Sequence, residues 1–348
     1  MKTPKNDRTL RNRLSLGGCS AAALAVMMVA GSGEGCIPAN FSFVESGDDG
    51  GSDARVRDDA AATGDSSGDE HARVGGCDPS KDFGPPELVR ELSSSEEEGS
   101  TRLSNHGQVA YFYSKRRPNG SGTPWIFRSL LVGGTWGQPE PVGELNIEGV
   151  TNFSPSPSPD GTELLFESTR PVGDGGGDGR KHMWLASRPD TSTAFGDFFN
   201  LQNLNDPGEQ ICPYRLPDRH VLYYGHDGTI SRVDDNGSGQ DPALLAPVNV
   251  PNAWTMCPVV SPDELTMYVG STRDSSVKPD FEEFDIWVSR RAQKSDAWSS
   301  PARLPNVNDP TRHDIPTWIS DDSCTLYMQS ARPNGLGYLD IYVARKPK

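Results

Sequence analysis

The chain has 348 residues, a formal net charge of -15 and only 34% hydrophobic residues. Lys and Arg number 33 against 48 Asp and Glu, so the clustered positive charge that displaces counterions from nucleic acid is lacking, and no nucleic-acid partner is expected. Gly (37) and Pro (29) are abundant, which favours many turns over long helices and points to one large all-β domain with flanking tails.

Residues 1–36 read as an export signal. Lys2, Lys5, Arg8, Arg11 and Arg13 form a basic start, residues 14–30 are apolar, and Gly31-Ser32-Gly33 supply small residues for cleavage. The segment resembles a bacterial lipoprotein leader, which would make Cys36 the lipidated residue. Gly33-Glu34-Gly35 departs from the usual box before that cysteine, and ordinary cleavage near Ala30-Gly31-Ser32 would leave Cys36 a plain thiol. No apolar run of eighteen residues follows, so membrane contact is expected only through an N-terminal lipid anchor. Residues 37–82 read as an acidic, Gly/Ser-rich disordered tether, too poor in apolar side chains to offset the entropy of ordering. Cys77 lies in this tether with no obvious partner.

Internal repetition governs residues 83–348. A Ser-Pro-Asp turn stands at Ser158-Pro159-Asp160, Leu216-Pro217-Asp218, Ser261-Pro262-Asp263 and Ser320-Asp321-Asp322, with a weaker copy at Ser104-Asn105-His106. Anchored on His106, Asp160, Asp218, Asp263 and Asp322, the spacings are 54, 58, 45 and 59 residues, each suited to one propeller blade of roughly 40–50 residues plus insertions. The clearest copy predicts strands at 256–260, 266–271, 285–289 and 302–304, the last introduced by Trp298. Second strands follow each turn at 109–113, 164–167, 221–224, 267–270 and 326–329. Third strands are 125–127, 183–185, 230–233, 286–288 and 341–343.

A fourth-strand signature opens with Trp136, Phe195 and Trp298, and appears once more ahead of the first repeat at 83–89. The last repeat stops after its third strand. One orphan strand at the start and one missing at the end predict a closed ring, which removes exposed sheet edges. The expected fold is therefore all-β: a five-bladed β-propeller of four-stranded antiparallel blades, closed by an N-terminal strand that completes the C-terminal blade.

The repeats resemble the TolB-like, WD-related propeller repeat of bacterial envelope proteins. The matching signature is Pro-x-x-Ser-Pro-Asp-Gly, an aliphatic strand, Ser-x-Arg, then Asp-Ile-Trp or Asp-Ile-Tyr, and it covers about residues 83–348. The resemblance implies a fold more than a function. TolB has an additional α/β domain and a sixth blade, so its partner binding does not carry over, and no Gly-x-Ser-x-Gly elbow marks a hydrolase domain.

Ser-x-Arg ends the second strand at Arg116, Arg170, Arg273 and Arg332. Asp285 and Asp340 open the third strands of the last two repeats, so Arg273–Asp285 and Arg332–Asp340 pairs are expected across the hairpins. The second repeat has His182 at that place, which leaves Arg170 as a candidate ligand contact. Residues entering the inner strands converge on the channel mouth: Asn152, Glu209, Gln210, Trp254, His313 and Asp314, with Glu98 from the first repeat. His313, Asp314 and Glu209 are suited to polar recognition and Trp254 to stacking. Solvated loop residues and caps are the plainer reading of the same positions.

A catalytic assignment would need an acid and a base or nucleophile ~5–9.5 Å apart. Glu98, Glu209 and Asp314 are candidates by position alone, and no arabinanase-type motif accompanies them, so no residue is assigned as catalytic. Histidines are scattered and Asp174 and Asp178 lack a closing Glu, so no metal site and no cofactor is expected. Cys212 and Cys257 occupy equivalent places in adjacent repeats; either a disulfide or two buried thiols fits. Cys324 reads as a core thiol. The sequence thus describes an exported, monomeric propeller of the cell envelope, periplasmic or on the outer membrane, that binds an envelope protein or glycan. A polysaccharide-active hydrolase is the alternative, and a purely architectural role is a third reading.

Overall fold

The computed structural model describes residues 76–348 apart from 105, 118–121, 173–178, 203, 206–207, 219, 235–238, 240 and 275–283. The leader, Cys36 and the tether to residue 75 lie outside the described residues, as do Asp174 and Asp178.

Five antiparallel sheets form a five-bladed β-propeller. Blade one is Glu98–Ser104, Val109–Ser114 and Trp125–Val132, the last flanked by the short Thr135–Trp136 and Glu140–Pro141. Blade two is Asn152–Pro157, Glu163–Ser168, His182–Ser187 and Phe198–Asn200. Blade three is Gln210–Arg215, Val221–His226 and Thr229–Asp234; among its described residues the fourth position holds a bridge, Val233 to Gly239, before a short helix Pro242–Leu245. Blade four, Thr255–Val260, Thr266–Ser271, Asp285–Arg290 and Ala302–Arg303, follows the boundaries expected from the sequence within a residue or two. Blade five is Asp314–Ile319, Thr325–Ser330 and Asp340–Arg345, completed by Glu87–Leu88 from the other end of the domain.

That closure is antiparallel, as expected. Glu87 faces Val343 and Leu88 faces Tyr342, antiparallel. Gly84 N–H donates to Arg345 O at 2.8 Å and Val89 N–H to Ile341 O at 2.9 Å. Phe83 is buried edge-on against Tyr268 of blade four, so the closing strand also carries apolar packing. The reading of Cys77 and Cys324 is corrected: they form a disulfide, with Cα atoms 6.1 Å apart and 247 residues between them. Among the described residues, contact with the last blade therefore begins at Cys77, and Asp78 N–H donates to Pro347 O.

The Ser-Pro-Asp turns are held by their own side chains. Ser261 Oγ donates to Asp263 Oδ1, which also accepts from Leu265 N, while Ser261 Oγ accepts from Thr266 N. Ser158 with Asp160 and Ser320 with Asp322 repeat the pattern. Such side-chain-to-backbone bonds fix a tight reversal without requiring regular pairing.

A second repeat device was not anticipated. Asn146, Asn205, Asn249 and Asn308 each accept from and donate to the backbone of one third-strand residue: Ile126, Met183, Ile230 and Ile286. The carboxamide acts as a short extra strand, which continues the ladder even in blade three. In blade five Ser93, just past the closing strand, accepts from Ile341 N. All five blades are thus clamped at the same place.

Each inner strand carries a β-bulge, at 99–102, 153–156, 211–214, 256–259 and 316–318. In four of them a non-glycine residue takes a left-handed φ: Ser100, Ser154, Cys212 and Cys257. Pro316 occupies the fifth bulge, where its ring forbids that conformation. The bulges bend the strands around the axis and bring these residues together. Ser100 and Ser154 hydroxyls lie 3.4 Å apart, and Cys212 and Cys257 form a disulfide with Cα atoms 4.8 Å apart.

Candidate functional site

Inner strands of all five blades run the same way around the channel, so it has two distinct ends. Their first residues are Glu98, Asn152, Gln210, Thr255 and Asp314, and every one is buried. This ring follows directly from pairing, because each faces the last residue of the second strand: Ser114, Ser168, His226, Ser271 and Ser330.

Four arginines clasp that ring. Arg116, Arg170, Arg273 and Arg332 each donate Nε to the serine two residues earlier. Their Nη2 groups donate to the carbonyls of Leu92, Leu145, Val248 and Val307, 24 or 25 residues back. The expected Arg–Asp pairs across the hairpins are therefore not formed. Arg332 meets Asp314 at 2.6 Å, and Arg116 meets Glu98 at 3.2 Å. Asp285 instead pairs with Arg303, and Asp340 accepts from Leu336 N and Gly337 N. Serine folds the guanidinium back onto the loop that precedes the inner strand, where a backbone carbonyl accepts from it, and so the arginine turns away from the hairpin.

Burial raises the pKa of Glu98 and Asp314, against the pull of Arg116 and Arg332. Asp314 also accepts from Asp309 N at 2.6 Å, and Glu98 from Ser94 N and Oγ and from Ser114 Oγ. Their lone pairs are occupied by structural donors. Arg170, expected to be available to a ligand, is buried; its guanidinium lies over Phe166, Trp184 and Phe198, and desolvation brings its pKa down to about 10.

Of the other mouth candidates, Asn152 and Gln210 are buried, with Asn152 Nδ2 donating to Leu145 O at 3.3 Å. His313 is buried edge-on to Tyr338 at 6.3 Å between ring centres. Glu209 and Trp254 remain at the surface. Glu209 pairs with Lys181 at 3.2 Å, and Lys181 lies 3.8 Å from Glu167. Burial alone would lower the lysine pKa, but these carboxylates raise it on balance. Trp254 is 36% exposed and rests on Gly228, at φ +76°, where an added Cβ would come within 3.2 Å of the indole. Asp227 accepts from Glu209 N beside it. What the rim presents is thus an indole, a lysine and carboxylates, with Lys181 and Asp227 joining the expected Glu209 and Trp254.

The opposite end was not anticipated at all. There the Ser-Pro-Asp turns surround a depression of about 130 Å³ to which all five blades contribute. Arg102 lies at this end as well. It crosses the channel, with Nε donating to Thr317 O of blade five at 3.1 Å and Nη2 to Cys212 O of blade three at 3.5 Å, and its guanidinium lies over Tyr214.

No family model matches the sequence, and no curated protein matches it. Solved structures similar to it include one assigned as TolB from Agrobacterium tumefaciens, 14% identical, covering 76% of this chain and 97% of that one at a TM-score of 0.37. A glycosyl hydrolase from Bacteroides ovatus is 9% identical over 75% of this chain and 92% of that one, TM-score 0.44. An endo-arabinanase from Bacillus licheniformis is 14% identical over 75% and 96%, TM-score 0.45. At such identities the chemistry has to be argued from the residues themselves.

Proposed function

We propose that this chain is a non-catalytic binding module that recognises an envelope protein or a glycan through the channel rim formed by Trp254, Lys181, Glu209 and Asp227. One observation carries the reading: the two carboxylates that begin inner strands, Glu98 and Asp314, are buried and held by Arg116 and Arg332. A glycoside hydrolase needs one carboxyl able to give up a proton and another able to attack or activate water. Groups already accepting several structural donors are poorly placed for either task. The exposed indole beside paired charges is suited to stacking and polar recognition.

Export to an oxidising compartment belongs to the same proposal. It is supported by the basic-then-apolar start of the sequence and by two disulfides in the propeller, since disulfides persist outside the reducing cytosol. Lipidation at Cys36 is proposed as the anchor. Mass analysis of the mature N-terminus tests it, with a diacylglyceryl-modified Cys36 expected and an unmodified or absent Cys36 against it.

Binding is tested by comparing wild type with Trp254→Ala and Glu209→Lys on immobilised envelope glycans and envelope extract. Loss of the same ligands in both variants, with unchanged melting temperature, is expected. Equal recovery of every ligand would overturn the rim assignment.

A further inference from the structure

We infer that the depression at the Ser-Pro-Asp end of the channel is a second binding site, built for a compact carboxylate carried on a body the size of one sugar ring or one amino-acid residue, with Arg102 as its anion-binding group. It lies at the opposite end from Trp254, so failure of either assignment leaves the other standing.

Arg102 is costly where it stands. Its residue is 3% exposed, yet among the described residues no carboxylate lies within ion-pair distance of its guanidinium. Two backbone carbonyls take Nε and Nη2, while Nη1 is buried with no hydrogen-bond partner. Glu167, beyond ion-pair distance and already accepting from Cys212 N, is the carboxylate whose charge favours the guanidinium. A buried cation with no direct ion pair is expensive, and an apolar side chain would fill the position more cheaply. Equivalent positions in the other blades, by register, hold Ser156, Tyr214, Val259 and Trp318, none of them charged. The arginine is thus not part of the repeat that builds the fold. A ligand carboxylate would supply the missing acceptor and match the planar fork.

The surroundings specify the rest of the ligand. Tyr214 and Trp318 give aromatic walls, and Pro157, Pro159, Pro217 and Pro262 give rigid apolar ones. Arg215 also lines the depression, its charge paired with Glu163 at 2.7 Å, and His106 and Asp321 stand exposed at the edge. A volume of about 130 Å³ exceeds the ~30 Å³ share of a single water several-fold, so a body as well as an anionic head is accommodated. Apolar walls around a buried guanidinium that lacks a carboxylate pair, with the second, Arg215, already paired to Glu163, favour such a molecule over a bare inorganic anion.

The test is titration of the whole protein, followed by tryptophan fluorescence and calorimetry, with glucuronate, galacturonate and N-acetyl amino acids as probes. Glucose and inorganic phosphate serve as controls, and the sugar-acid and amino-acid arms distinguish the two sources of the carboxylate. Saturable binding in at least one carboxylate arm, at least about tenfold tighter than either control, is expected. Arg102→Met should abolish it, and Arg102→Lys should recover only part. His106→Glu, at the exposed edge, should weaken binding severalfold without changing the melting temperature, and it carries the test if the core variants do not fold. Absence of saturation in every carboxylate arm, equal binding of glucose or phosphate, or unchanged affinity in a folded Arg102→Met or in His106→Glu would overturn the inference.

Discussion

Asp314 Oδ1 and Arg332 Nη2 meet at 2.6 Å where the inner strand of blade five begins, with the carboxylate wholly buried. Arg332 also holds Val307 O, so one guanidinium ties the entry of blade five to the loop that precedes it. Removing one partner strands the other charge in the interior. Asp314→Asn and Arg332→Met should each lower unfolding free energy by about 3–5 kcal/mol, while the double variant should cost much less than their sum. Urea unfolding of the four proteins measures this. Additive losses would mean that the pair is not coupled.

The asparagine clamps predict a second set of losses. Asn308 accepts from Ile286 N and donates to Ile286 O and Leu304 O. Asn308→Ala leaves strand-edge groups unpaired and should cost about 2 kcal/mol or more. Ser93→Ala, which removes one acceptor from Ile341 N, should cost about 1 kcal/mol. Hydrogen exchange should rise at Ile286 and Ile341 respectively, before it rises elsewhere.

Ring closure predicts a third. The Cys77–Cys324 disulfide closes a loop of 247 residues, so its chain-entropy contribution lies near the top of the usual range, about 5 kcal/mol. Cys77→Ser should lower stability by several kcal/mol, and exchange protection should fall first along Glu87–Leu88 and Asp340–Arg345. Cys212→Ser with Cys257→Ser, across a separation of 45 residues, should instead loosen blades three and four.

A pH dependence follows from Glu264. It is buried, at φ +56°, and meets Lys294 at 3.0 Å, Arg232 at 3.2 Å, Arg291 at 3.5 Å and the Tyr223 hydroxyl at 2.9 Å. Burial pushes its pKa up, but hydrogen bonds from Lys294 and Tyr223 and the charge of Arg232 bring it on balance below 4.5. A carboxyl whose folded pKa is depressed adds stability above its unfolded pKa and loses it as pH falls through the folded value. Wild-type stability should therefore drop on acidification below pH about 4.5. Glu264→Gln should be less stable by about 3 kcal/mol at pH 7, with a shallower acid limb in urea midpoints taken from pH 2.5 to 7.

The sequence made the ring legible because its cues are local. Ser261-Pro262-Asp263 bonds within itself, so its spacing alone counts blades, and an orphan strand near Phe83 with no fourth strand after Tyr342 required closure. Arginine partners were not legible. Asp314 and Asp340 both face Ser330, two residues before Arg332, from the neighbouring strands, and only the fold-back onto Ser330 Oγ decides between them. The depth of the mouth residues was not legible for a related reason: an inner strand begins inside the barrel of blades, so His313, Gln210 and Asn152 are enclosed while Trp254 and Glu209 stay outside. Cys77 looked isolated because its partner lies 247 residues away. One signal was visible and unread: Leu145-Asn146, Leu204-Asn205, Val248-Asn249 and Val307-Asn308 recur ahead of the inner strands, and each asparagine proves to be a clamp.

In the proposed function the carboxylates of the inner ring build the fold and do not cleave a substrate. It is tested most directly by assaying reducing-end release from a panel of polysaccharides, arabinan included, by wild type and by Asp314→Asn/Arg332→Met shown to be folded by circular dichroism. No release by either protein, and equal glycan retention by both, is the expected result. Release by wild type that the folded double variant has lost would contradict it.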